Sequence, residues 1–96
     1  MKRDVALARI REHLPELGRF EVETLELFGS TARGSARRGS DVDVMATFRR
    51  PPTLREFMGL KFALEEWLGV PVDLVDRAAI QEGWRSLIER DAILVA

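Results

Sequence analysis

Two aspartates one residue apart, Asp41 and Asp43, follow a Gly29-Ser30 pair after an interval of ten residues. On a strand, successive side chains alternate faces, so the two carboxylates share one face ~6.6 Å apart along the backbone. They repel, and each raises the other's pKa unless a cation lies between them. Hard divalent ions such as Mg²⁺ are held by few carboxylates plus phosphate oxygens, and two ions ~3.5–4 Å apart can be bracketed by such groups. Gly29-Ser30 stands where an apolar strand stops and a helical turn can start. Free amides there, with a hydroxyl beside them and no Cβ on the glycine, suit phosphate oxygens. Taken singly, Asp-x-Asp also fits a turn cap and a wet strand end, and Gly-Ser fits a tight turn with Ser30 as N-cap. Together they place a phosphate cradle beside a metal pair at the ends of neighbouring strands, which is what moving a nucleotidyl group from a nucleoside triphosphate requires. Asp73 is the candidate third carboxylate, flanked by Val70, Val72, Leu74 and Val75. A buried ionised carboxylate in that setting needs a cation or a hydrogen-bond partner. Asp76 falls at the strand's end on the opposite face, where capping the following segment accounts for it.

The helices and strands that carry these groups are legible in the spacing. Asp4 is the expected N-cap of a first helix with Val5, Leu7, Ala8, Ile10 and Leu14 on its apolar side, ended by Pro15 and Gly18. Val22 to Phe28 reads as a strand buried on both faces in its last part. Gly29 to Ser40 reads as a turn, a short helical piece and a loop, and Asp41 to Phe48 as a second strand closed by Arg49-Arg50-Pro51-Pro52. Thr53 and Glu56 form a capping box for a helix ending near Gly69. Leu54, Phe57, Met58, Phe62, Leu64 and Leu68 are its expected buried stripe, with Lys61, Glu65 and Glu66 facing water. A strand over Val70 to Val75, a helix over Ala79 to Arg90 and an apolar tail Ala92 to Val95, either edge strand or docking tail, complete the order. The expected fold is α/β (α+β), one small mixed sheet packed against helices.

Composition narrows the function classes. The 96 residues make one domain, 1–96, with a thin core. Fifteen Lys+Arg against sixteen Asp+Glu give a formal charge of −1, which argues against a general nucleic-acid coating protein, so no direct nucleic-acid binding is expected. Zero cysteines exclude disulfides and thiolate metal sites and fit a reducing cytoplasm. No apolar run reaches the ~18–20 residues that span a bilayer, so a cytoplasmic location away from the membrane is expected.

Gly29-Ser30, ten residues, then Asp41-Val42-Asp43 resembles the Gly-Ser-x10-Asp-x-Asp signature of the DNA polymerase β-like nucleotidyltransferase superfamily. The wider strings Leu27 to Gly34 and Ser40 to Asp43 resemble its minimal nucleotidyltransferases, the MNT group, and Val72-Asp73-Leu74-Val75 matches the strand bearing that family's third carboxylate. The likeness covers essentially the whole chain. Departures are small: the loop Ser35 to Gly39 is more basic than needed, and Met45-Ala46-Thr47 is a mild variant of the apolar run. The resemblance implies a polymerase β-like nucleotidyltransferase fold and an antitoxin role. MNT proteins partner HEPN-domain toxins, usually RNases, and some transfer AMP from ATP to a tyrosine of that toxin and silence it. It implies ATP as substrate, two Mg²⁺ ions held by Asp41, Asp43 and Asp73, and a triphosphate held at Gly29 and Ser30.

The remaining residues are read more plainly. Arg33 fits either a phosphate contact or a solvated charge, and Arg37 and Arg38 either steer ATP or an RNA-bound partner, or face water. His13 is expected at the surface or satisfied locally, and Trp67 and Trp84 in the core. With no tyrosine in the chain, a tyrosine acceptor must come from another molecule. Two alternatives stay open: an antitoxin that acts by binding alone, and a nucleotidyltransferase with a small-molecule acceptor. The latter usually needs an extra domain for which this chain has no room.

Overall fold

The computed structural model describes residues 1–35 and 41–96. Helix α1 (Arg3–Arg11) and a 3-10 helix (Leu14–Phe20) lead into strand β1 (Val22–Phe28). The short helix α2 (Gly29–Arg33) follows directly, then β2 (Val42–Phe48), α3 (Leu54–Leu68) and β3 (Val72–Asp76). A second 3-10 turn (Arg77–Ala79), α4 (Glu82–Asp91) and the two-residue strand β4 (Ile93–Leu94) close the chain. The sheet order is β3-β2-β1-β4, with β2 parallel to β3 and β1 antiparallel to both its neighbours. This is the mixed α/β architecture expected.

Register and side-chain parity divide the sheet into two faces. Leu25 and Leu27 of β1 pair with Ala46 and Val44 of β2, and Val42 and Val44 pair with Val72 and Leu74 of β3. These side chains are buried and form the core with Ala6 and Ile10 of α1, Leu17, and Leu60, Leu64 and Leu68 of α3. The opposite face carries Phe28, Asp43, Met45, Asp73 and Val75.

Several local expectations are corrected. Asp4 lies inside the first turn of α1, whose N-cap is Lys2, and Ala6 and Ile10 are buried while Val5 and Leu14 are exposed. Pro15 opens a 3-10 helix instead of only ending α1, which stops at Arg11. The capping box is present: the Glu56 amide donates to Thr53 Oγ1 at 3.1 Å and the Thr53 amide to Glu56 Oε1 at 2.9 Å. Its helix, however, buries Leu60, Ala63, Leu64 and Leu68, and leaves Leu54 and Phe62 in water. Helix α4 buries no residue; Trp84, expected in the core, is 63% exposed, and Leu87 is exposed beside it on the same helix. The apolar tail is an edge strand, with Val95 buried in the chain's own core and Leu94 outside.

Candidate functional site

Gly29 follows β1 directly and begins α2 with φ +69°, a left-handed conformation that glycine adopts without steric cost. Its neighbour in space is Asp43, because Phe28 pairs with Asp43 across the β1–β2 ladder. A Cβ at position 29 would sit within the van der Waals envelope of Asp43 Oδ2. The missing side chain is therefore what lets the carboxylate lie against the strand-to-helix turn. Ser30 follows within the first turn, half-buried; Phe28, not Ser30, holds the N-cap position. The turn is closed at its far end by Gly34 (φ +77°), and the Ser35 amide donates to the Ser30 carbonyl at 2.9 Å.

Asp43 and Asp73 are register partners on the parallel strands β2 and β3. Parallel partners point to the same side, so the two carboxylates project from one face on strands ~4.8 Å apart. Asp41 stands immediately before β2 and is exposed. Burial pushes the Asp43 carboxyl above the usual carboxylate range, the charges of Asp73 and then Asp41 push it further, and Arg33 pulls it back. The expectation of a buried Asp73 is corrected: its side chain is exposed, because β3 is an edge strand and this face is open beside it. Asp76 turns away and accepts from the Ala78 amide at 3.0 Å, the cap expected of it.

The donor set is three hard carboxylates with like charge concentrated on one of them. Among the described residues, no three His, Cys, Asp or Glu side chains are drawn together tightly enough to enclose an ion unaided. Mg²⁺ rarely asks for that: it takes one or two carboxylates and completes its shell with substrate phosphate and water. A half-buried carboxylate whose anionic form is disfavoured by two neighbouring carboxylates fits such a cation.

A family model described as a nucleotidyltransferase domain matches residues 7–94. Protein adenylyltransferase MntA of Thermococcus cleftensis is 38% identical over 77 residues, covering 80% of this chain and 78% of the relative. A solved minimal nucleotidyltransferase superposes with a TM-score of 0.84 at 36% identity, covering 97% of this chain and 95% of the other. The chain is a minimal nucleotidyltransferase of the polymerase β-like superfamily. A crystal structure of a toxin–antitoxin complex with AMP-PNP, at 20% identity and TM-score 0.72, covers 100% of this chain and 73% of the other. The MNT antitoxin bound to a tri-AMPylated Shewanella oneidensis HEPN toxin, at 17% identity and TM-score 0.71, covers 98% and 71%. These last two share the fold.

In this nucleotidyltransferase Arg33 leaves the end of α2 exposed and pairs with Asp91 of α4 at 3.6 Å. Asp91 was not signalled by the sequence, since nothing in its spacing ties the last turn of one helix to the end of another. Arg37 and Arg38 lie outside the described residues. His13 is satisfied locally: Nδ1 is 2.6 Å from Glu16 and the ring stacks on the half-buried Trp67 at 4.4 Å. Glu65, expected to face only water, instead accepts from a backbone amide of β3.

Proposed function

We propose that this enzyme is an antitoxin of the HEPN/MNT kind that transfers AMP from ATP to a tyrosine of its cognate HEPN toxin, an RNase, and thereby neutralises it. The observation that carries the reading is the side-chain-free contact between Gly29 and Asp43, with Asp73 in register alongside: the Gly-Ser turn and a pair of carboxylates are brought together at one sheet face. The curated relative called a protein adenylyltransferase supports AMP as the group moved, and the toxin–antitoxin neighbours support a HEPN protein as acceptor. The absence of tyrosine from the chain agrees with an acceptor in trans.

In this reading Gly29 and Ser30 hold the triphosphate through the free amides of the turn and the serine hydroxyl. Asp41, Asp43 and Asp73 would hold Mg²⁺, two ions in the full site, which when bound supplies charge neutralisation at the phosphates and a lowered pKa for the attacking hydroxyl. The tyrosine oxygen attacks the α-phosphorus, a new O–P bond forms, and the bond from the α-phosphorus to the oxygen bridging to the β-phosphate breaks. Pyrophosphate departs with that electron pair. Asp73, whose side chain is exposed, takes the phenolic proton, which at an ordinary pKa of ~10 needs a base at neutral pH. Arg33 adds positive charge beside Asp43.

The test is incubation of the purified toxin with this protein and ATP labelled at the α-phosphate, with and without Mg²⁺. Label on the toxin together with loss of RNase activity is the expected result. An RNase silenced without label would replace the catalytic reading with antitoxin action by binding alone.

A further inference from the structure

Strand β3 carries Asp73 yet lies at the edge of the sheet, paired only with β2. In a parallel ladder, alternate residues of a strand bond to the neighbour. The Val42 amide donates to the Pro71 carbonyl at 3.0 Å, so Pro71 faces β2 and Val72 directs its own amide to the free edge. That amide is met by a side chain. Val72 N–H donates to Glu65 Oε2 at 2.9 Å, and the same oxygen accepts from Lys61 Nζ at 3.0 Å. Glu65 belongs to the last turn of α3, and the chain reverses at Gly69 (φ +72°) to bring β3 back beneath it. One carboxylate thus pins the first residue of β3 to the helix packed over the core, one residue before Asp73.

We infer that Glu65 is a positioning residue: by accepting the Val72 amide it fixes the start of the edge strand and holds Asp73 in register with Asp43 for divalent-cation binding. This rests on the proposed role of the two aspartates. What Glu65 contributes is reach and an acceptor oxygen; its charge serves Lys61. Asp at this position would keep the charge but fall a methylene short, whereas Gln would keep the reach and the acceptor.

Glu65→Ala, Glu65→Asp and Glu65→Gln are compared with the wild type and with Asp43→Asn. Calorimetry measures Mn²⁺ binding to each protein, and equilibrium dialysis measures ATP binding without divalent ions. Amide exchange at Val72 and circular dichroism report local and global structure. Glu65→Ala and Glu65→Asp are expected to lose protection at Val72 and about tenfold in Mn²⁺ affinity, the usual cost of removing a group that orients a metal ligand. Metal-free ATP binding should stay unchanged, since the Gly29-Ser30 turn follows β1 and makes no bond to Glu65. Glu65→Gln should retain wild-type behaviour. Wild-type Mn²⁺ affinity in both Ala and Asp variants, or equal losses in Gln and Ala, would overturn the inference while leaving the site reading intact. If Asp43→Asn bound Mn²⁺ like the wild type, the site reading would fall, and this inference with it. Should Glu65→Ala fail to fold, the Asp and Gln pair decides.

Discussion

A methyl group at position 29 would meet the Asp43 carboxylate, and the backbone there is left-handed as well. Gly29→Ala therefore strains the turn and displaces the acid at once. A displacement of about 1 Å at a reacting centre can cost on the order of 10²-fold in rate. We predict a loss of that order in AMP transfer, together with a lower melting temperature, measured by label incorporation and thermal denaturation. Asp43 itself gives a pH-dependent prediction. Its folded pKa is raised by burial, Asp73 and Asp41. The folded chain thus holds that proton more tightly than the unfolded one, and stability is lost as pH rises through the folded value. Asp43→Asn removes the penalty. The variant should melt higher than the metal-free wild type at neutral pH, the difference should vanish below the ordinary carboxylate range, and transfer should be abolished. Melting curves from pH 3 to 8 check the sign. At this scale the sequence was informative because Gly29, Ser30, Asp41 and Asp43 lie close along the chain and their types alone limit what they can do. The exposure of Asp73 was not legible, since an edge strand and a central strand can share one run of Val and Leu.

Helix α3 shows where periodicity reads well and where it misleads. Its start is a local matter of Thr53 and Glu56, reinforced by the two-pronged Arg50–Glu56 contact at 3.0 and 2.7 Å. These partners hold the Glu56 carboxyl down at about 2. Stability from Glu56 is therefore present above the ordinary carboxylate pKa and lost as pH falls from there toward about 2. Glu56→Gln should lower the melting temperature at pH 7 and approach the wild type near pH 2. Thr53→Ala should cost about 1 kcal/mol in denaturant unfolding. The buried stripe is another matter. Phe62 lies two residues beyond Leu60, about 160° round the helix, so both cannot face one sheet. Which of several apolar rows turns inward is decided by α1 and the sheet, not by the helix's own sequence. Leu60→Ala or Leu64→Ala should therefore cost roughly 2–5 kcal/mol, since both side chains are fully buried. Phe62→Ala, at 58% exposure, should cost far less in the same unfolding measurement.

The described molecule is a slab with principal extents of 32 × 31 × 18 Å. One face of its sheet is covered by α1 and α3; the other presents Asp43 and Asp73 beside α2. An apolar groove lined by Pro51, Leu54, Phe57 and Ile80 lies at the C-terminal end of β3. The order of helices and strands was readable from apolar spacing and from the Gly and Pro residues that punctuate it, whereas the exposure of α4 was not. Trp84 and Leu87 carry a core-like spacing, but spacing along one helix does not say whether another element covers that row, and here both stay exposed. The central claim is that Asp41, Asp43 and Asp73 act together with the Gly29-Ser30 turn in nucleotidyl transfer. It is tested most directly by counting pyrophosphate released per AMP incorporated into the toxin, for wild type, Asp41→Asn, Asp43→Asn and Asp73→Asn in Mg²⁺. One pyrophosphate per AMP is expected for the wild type, neither product for Asp41→Asn or Asp43→Asn with their folds intact, and a sharply lower yield of both for Asp73→Asn. Full transfer by both Asp41→Asn and Asp43→Asn would contradict that claim.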